Sequence, residues 1–407
     1  MHFHPRLEYI KKSIKILKSQ TFRFLRIRHP EVYKLIVGIL GTISLYVRHG
    51  IFIKNGNQAH WRLQELTGEA KLVKYWVSSH SKDNPLKIPL EKIIKLDFSN
   101  EVSTPDPQIH SFNPSIIANN QGLLVTWRIS DVYFHPATNQ NGEQITPLST
   151  GLLNGIGLAE IHIEDLLTTA KLRNIKVLIE PVLEKRNTNH VVRDTYGRHM
   201  EFEDPRFLSS TPLLLMLHGK YVSKARARDS LPKYEIAILD VESDAISILN
   251  LTNKNNVEKN WVPILSEDSA FKILRSTQPF EILNLRKQDL ALDGDYVGKK
   301  SQIGFLHNGS NFLLISKQYY IRVVRETLTL KGLRGVRVNR IIIHDLELNE
   351  TARTKPFLFT DFGFEICNSL TEYGNKVFFA WGMNDESGYI GFVDKIELID
   401  WIFLNQT

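Results

Sequence analysis

The chain has 407 residues, 42% of them apolar and 23% charged, a composition that excludes disordered, collagen-like and coiled-coil proteins. Its single cysteine, Cys367, excludes an intrachain disulfide and any C-x-x-C metal or redox site. The net charge of +7 is gathered at one end: residues 1–54 hold eleven Lys and Arg against Glu8 and Glu31, so the remainder is slightly acidic. A folded body without a basic surplus argues against nucleic acid as a partner.

Residues 1–54 read as a basic helical arm. Ile10, Ile14, Leu17 and Phe24 or Leu25 recur near helical spacing with Lys and Arg between them. Such a helix suits an anionic membrane surface. Leu35–Val47 is uncharged but shorter than the roughly 20 residues that a bilayer span needs. A helix buried against the main body, a membrane-surface attachment through residues 9–47 and a spanning anchor all remain open. The expected location is cytoplasmic, or peripheral at a membrane.

Residues 55–407 read as all-β. Short apolar runs, among them GLLVTWRIS (122–130), TPLLLMLHG (211–219), NFLLISKQYY (311–320) and KVFFAWGMND (376–385), are bounded by Gly, Asn, Asp and Pro. Small polar motifs accompany them: FNPSI (112–116), EDPRF (203–207), KNWVPI (259–264), KSQIGF (300–305) and FEICNSL (364–370). Five irregularly spaced copies of motif and strand predict a five-bladed β-propeller with insertions. Taken singly, Asn-Pro and Asp-Pro are turn signals. In a propeller, equivalent positions converge on the central channel, and the set of five then predicts a shared site.

Glu203, Asp204 and Arg206 form the sharpest motif, in which an arginine can hold one carboxylate ionised beside another. Glycosyl transfer needs a carboxyl group next to the scissile oxygen, so Asp204 is the candidate acid or base. Asn113 and Arg128 supply an amide and a guanidinium for sugar hydroxyls. Lys259, Asn260 and Trp261 add a cation, an amide and an aromatic plate. Arg275 suits a phosphate or a nucleotide diphosphate, and Asp385 can hold a hydroxyl from a loop. Gly155-Ile-Gly157 lacks the third glycine of a dinucleotide fingerprint, and no Walker, H-E-x-x-H or G-x-S-x-G motif occurs. Neither a metal nor a cofactor is expected.

In order, FNPSI, GLLVTWRIS, EDPRF, KNWVPI, RVNRIIIHDLELNETARTKPFLF (337–359) and WGMNDESGYIGFVD resemble the five-bladed β-propeller β-mannoside phosphorylases and the β-1,2-mannosyltransferases related to them. The resemblance spans about residues 95–400. It implies a sugar site in the central channel, with Asp204 as general acid in phosphorolysis or base in transfer, and with Asn113, Arg128 and Asp385 touching sugar. Family members often carry a histidine after the KNW strand, where this chain reads Arg275-Ser276-Thr277-Gln278-Pro279, and KSQIGF replaces a G-G-S/T-P-type sequence. These departures argue against phosphorolysis and leave a transferase or a degenerate binding propeller open, and the basic arm suits an enzyme that builds a glycan, so the leading expectation is a glycosyltransferase. It would move a hexose such as mannose from a nucleotide sugar or sugar 1-phosphate to a glycan or glycolipid acceptor. A β-mannoside phosphorylase or glycoside hydrolase, and a non-catalytic carbohydrate-binding propeller, are the alternatives.

Overall fold

A computed structural model describes residues 86–98, 110–130, 154–180, 199–222, 234–249, 261–265, 270–277, 280–290, 297–299, 306–328, 336–360, 365–383 and 387–407. Apart from Leu328 and Val336, they belong to one compact unit. The basic arm and the 54/55 boundary lie outside the described residues. Among those described, no helix is long and apolar enough to cross a membrane.

The described chain is mostly β-strand in a propeller-like arrangement. One antiparallel sheet runs β3 (His110–Asn119), β4 (Gly122–Ser130), β5 (Asn154–His162), β6 (Arg173–Ile179). The next runs β7 (His199–Ser210), β8 (Leu213–Val222), β9 (Tyr234–Asp240), β10 (Ala245–Ile248). A third holds β11 (Val262–Ile264), β12 (Ala270–Thr277), β13 (Phe280–Arg286) and β14 (Val297–Lys299). A fourth joins β21 (Glu365–Tyr373), β22 (Lys376–Met383) and β23 (Ser387–Asp394) to the early strand β2 (Lys92–Lys95). These four sheets have the four-stranded form of blades.

The remaining sheet has seven strands, which the expectation of five like blades did not include. It comprises β1 (Leu86–Lys87), β15 (Leu306–Asn308), β16 (Leu313–Leu314), β17 (Tyr320–Leu328), β18 (Val336–His344), β19 (Glu350–Arg353) and β20 (Phe357–Leu358). One of its pairs, β1 with β20, is parallel. NFLLISKQYY is therefore not one strand. Side chains take over its backbone pairing: Ser310 Oγ accepts the Val323 N–H at 2.8 Å, and the Asn311 amide bonds both the N–H and the carbonyl of Leu370.

The other three apolar runs lie in β4, β8 and β22, each the middle of three consecutive strands and mostly buried on both faces. β4 has Leu123, Val125, Trp127 and Ile129 fully buried, which explains a run without the polar alternation of a half-exposed strand. The last strands, β6 and β10, alternate between half-buried and exposed positions instead.

The cores lie between successive sheets. Ile156 and Leu158 meet Phe202, Leu215 and Leu217; Met216 and Ile238 meet Trp261 and Ile273; Val262 and Leu274 meet Phe312. Ile321 and Val323 meet Phe379 and Trp381, and Phe378 and Phe392 pack back on Ile116 and Trp127. Gly157 belongs to this packing and not to a nucleotide loop. A Cβ there would lie 2.1 Å from the Trp127 ring.

Candidate active site

FNPSI lies in β3, EDPRF in β7, the end of KNWVPI in β11 and most of FEICNSL in β21, whereas KSQIGF lies outside the described residues. Asn-Pro and Asp-Pro are not turns here. Each sits in a β-bulge: the β3–β4 register jumps between Phe112 and Ser115, and the β7–β8 register between Glu203 and Arg206. Pro114 and Pro205 cannot donate to a ladder, so a bulge is where a strand accommodates them. Asn113 has φ 53° and Asp204 has φ 45°. Positive φ in a non-glycine residue before proline is disfavoured twice and costs on the order of 1–3 kcal/mol at each position. The bulges turn both side chains out of the ladder and toward each other.

Asn113 Nδ2 donates to Asp204 Oδ1 at 3.0 Å. Arg128, opposite Phe112 in the ladder, brings a guanidinium nitrogen to 3.6 Å from the same oxygen and another to 3.3 Å from Glu203 Oε1. Asn154 Oδ1 accepts from Arg128 Nε and from Ser130 Oγ, both at 2.9 Å, and so fixes the fork. The two adjacent carboxylates differ in exposure: the Asp204 side chain is 13% exposed and that of Glu203 4%.

Arg206 leads inward. Fully buried, it donates to the Gly309 carbonyl at 2.5 Å, the Asn368 carbonyl at 2.8 Å and Asn368 Oδ1 at 3.2 Å. One side chain of the second sheet thereby ties together the seven-stranded sheet and the sheet of β21. Burial lowers its pKa to about 10, with Asp204 opposing, so the guanidinium stays charged at neutral pH. Its role is to join sheets, which differs from the sugar contact expected of it.

Trp261 likewise departs from expectation. It is 1% exposed within the core and offers no open plate. Arg275 lies over its ring at 5.8 Å and reaches Glu281 at 3.8 Å. Lys259, Asn260 and Asp385 lie outside the described residues. Among those described, no group of three His, Cys, Asp or Glu is placed to hold a metal ion.

Three further residues belong to the constellation, of which Asn368 lies within the motif FEICNSL. Asn368 occupies the β21 bulge between Cys367 and Ser369, the counterpart of Asn113 and Asp204. His218 lies opposite Glu203 just as Arg128 lies opposite Phe112. Gly382 makes room for Asn113: a Cβ there would stand 1.9 Å from Asn113 Oδ1 and 2.9 Å from its backbone nitrogen. Gly382→Ala should therefore push the Asn113 amide off Asp204 and cost about 1–3 kcal/mol as overpacking does. Thermal unfolding and a crystal structure of the variant check this.

No family model matches the chain, and no curated protein matches it. Solved structures do. The chain is similar to a β-1,2-mannobiose phosphorylase from Listeria innocua in complex with β-1,2-mannobiose: 11% identity, TM-score 0.48, covering 77% of this chain and 100% of that one. It is also similar to a mannose phosphorylase from Leishmania mexicana in complex with phosphate: 10% identity, TM-score 0.47, 80% and 94%. A glycosyl hydrolase from Bacteroides ovatus gives 10% identity, TM-score 0.47, 76% and 96%.

Proposed function

We propose that the protein is a carbohydrate-active enzyme that cleaves β-mannosides with inversion, by phosphorolysis or hydrolysis. Its site lies at the centre of a propeller in which the seven-stranded sheet serves as fifth blade. The observation that carries this reading is the unequal treatment of two neighbouring carboxylates. Glu203 is buried against Arg128, whereas Asp204 is turned out on a bulge and oriented through Oδ1 by Asn113 and Arg128. One oriented carboxyl suffices when the nucleophile is phosphate, which needs no second carboxylate as base. Asp204 then gives its proton to the glycosidic oxygen, the bond from that oxygen to the anomeric carbon breaks, and phosphate attacks that carbon from the opposite face to form a sugar 1-phosphate; in hydrolysis water attacks instead, and its proton must pass to a base that the phosphorolytic route does not require. The E-D-P-R resemblance assigns Asp204 the same role. Arg275 and Arg325 end apolar runs of β12 and β17 as Arg128 ends that of β4, and they are candidates for phosphate. The transferase reading drew on the basic arm and on KSQIGF, which lie outside the described residues, and on the stretch from Arg275 to Pro279; no contact among the described residues favours it.

The test incubates the full chain with β-1,2-mannobiose, with and without inorganic phosphate, and reads products by mass. Mannose 1-phosphate that forms only with phosphate identifies a phosphorylase. Mannose formed regardless identifies a hydrolase. Turnover of a nucleotide-activated mannose with a mannoside acceptor, and no cleavage, would replace this reading with the transferase. Binding without turnover of any of these would replace it with a binding propeller.

A further inference from the structure

His218 ends the apolar run of β8 and is 0% exposed. A buried imidazole among leucines has to be satisfied at both nitrogens. The backbone N–H of Trp261 stands 3.1 Å from Nε2. An N–H only donates, so Nε2 accepts and the ring proton resides on Nδ1. Nδ1 stands 3.3 Å from the carbonyl oxygen of Asp204, which only accepts. Two one-way partners therefore select one neutral tautomer.

The acceptor is the carbonyl of the residue at φ 45°, in the peptide that leads to Pro205. A strained conformation lasts only where its surroundings over-determine it. From outside its own strand, the backbone of Asp204 receives the His218 bond and its side chain the Asn113 bond. Trp261 belongs to the next sheet's core and immediately precedes β11. The relay from Trp261 N–H through the imidazole to the Asp204 carbonyl thus transmits the place of the third sheet to the bulge of the second.

We propose that His218 is the positioning residue of Asp204: as the Nδ1-protonated tautomer, it holds the bulge that aims the carboxyl group. The catalytic half of this inference rests on the reading of Asp204 as the acid; the conformational half does not.

Two replacements separate the ring's two bonds. In His218→Asn the amide nitrogen takes the place of Nδ1 and can still donate to the Asp204 carbonyl. In His218→Gln the amide oxygen takes the place of Nε2, accepts from Trp261 and leaves that carbonyl without its donor. With a cleaved mannoside, His218→Gln should lower kcat by about tenfold or more, with KM changed less than about twofold, because misplacing a reacting group by an ångström costs that much. His218→Asn should recover most of the loss. A residue that only fills space would lower the melting temperature of both variants alike and leave kcat per folded molecule unchanged, which overturns the proposal. Crystal structures of the variants read Asp204 directly: φ stays positive with Asn and becomes negative with Gln. An unchanged φ in both overturns it. Nitrogen-15 spectra of the wild-type imidazole decide the tautomer even where His218→Gln fails to fold; a proton on Nε2 overturns the relay. Absence of mannoside turnover in the wild type would remove the functional reading alone, since the tautomer and φ still decide whether His218 holds Asp204.

Discussion

Asp204→Asn is expected to lower mannoside cleavage by about a thousandfold, the usual range for removing a general acid. The substitution is nearly isosteric, and its amide oxygen can still accept from Asn113 and Arg128. Glu203 remains to hold the Arg128 guanidinium 3.3 Å away, so no buried cation is stranded. The melting temperature should hardly move, and KM should change far less than kcat. Initial rates with and without phosphate, measured beside a thermal melt, test this. Turnover equal to the wild type would make Asp204 a purely structural residue of the bulge.

Arg206→Leu is expected to have the largest effect on stability, roughly 3–5 kcal/mol, because it removes a buried charge from partners that stay behind. The carbonyls of Gly309 and Asn368 and the Asn368 side-chain oxygen would lose their shared donor at once. Arg206→Lys should recover only part, since an ammonium cannot spread two nitrogens over three acceptors held by two sheets. Chemical denaturation of the three proteins gives the differences. A loss under about 1 kcal/mol would mean that neighbouring groups or water replace the guanidinium with little penalty. The two predictions separate cleanly although the residues are two positions apart. Within E-D-P-R, the Asp204 side chain meets Asn113 and Arg128, and the Arg206 side chain enters the joint between sheets.

Much of this was legible in the residues. GLLVTWRIS is β4 to the residue, since a second strand covered on both faces needs a continuous apolar run bounded by polar turns. The meeting of Asn113, Arg128 and Asp204 was legible from the order of motifs, because strands at equivalent places in successive sheets bring their bulges to the same end. What stayed hidden has physical reasons. Asn-Pro and Asp-Pro read as turns because the dipeptide alone does not distinguish a turn from a bulge; the partner strand decides. Trp261 reads as an aromatic plate because composition does not say which way a ring faces, and Arg275 covers it. His218 disappears inside TPLLLMLHG, where a single imidazole looks incidental. One signal could have found it. Arg128, His218 and Arg275 each follow an apolar run of similar length, so they recur at one place in the repeat. Asn311 stayed hidden because its amide imitates a strand's backbone, a role that leaves no pattern in hydropathy.

The strand that completes the last sheet also sets when that sheet can form. β2 pairs with β23 along Lys92–Lys95, and Lys376 reaches Glu91, 285 positions earlier in the chain, through both carboxylate oxygens. During synthesis β2 therefore emerges long before its partner exists, and it must wait as an unpaired edge while the other sheets assemble. Bringing such distant segments together carries a closure entropy of roughly 5 kcal/mol, growing with the logarithm of the loop. Folding of this sheet is thus dominated by its most remote contact, the situation in which refolding is slow and an open edge is exposed to other chains. Until β23 arrives, the nascent protein is a template seeking a strand, and whether it finds its own or a neighbour's depends on concentration.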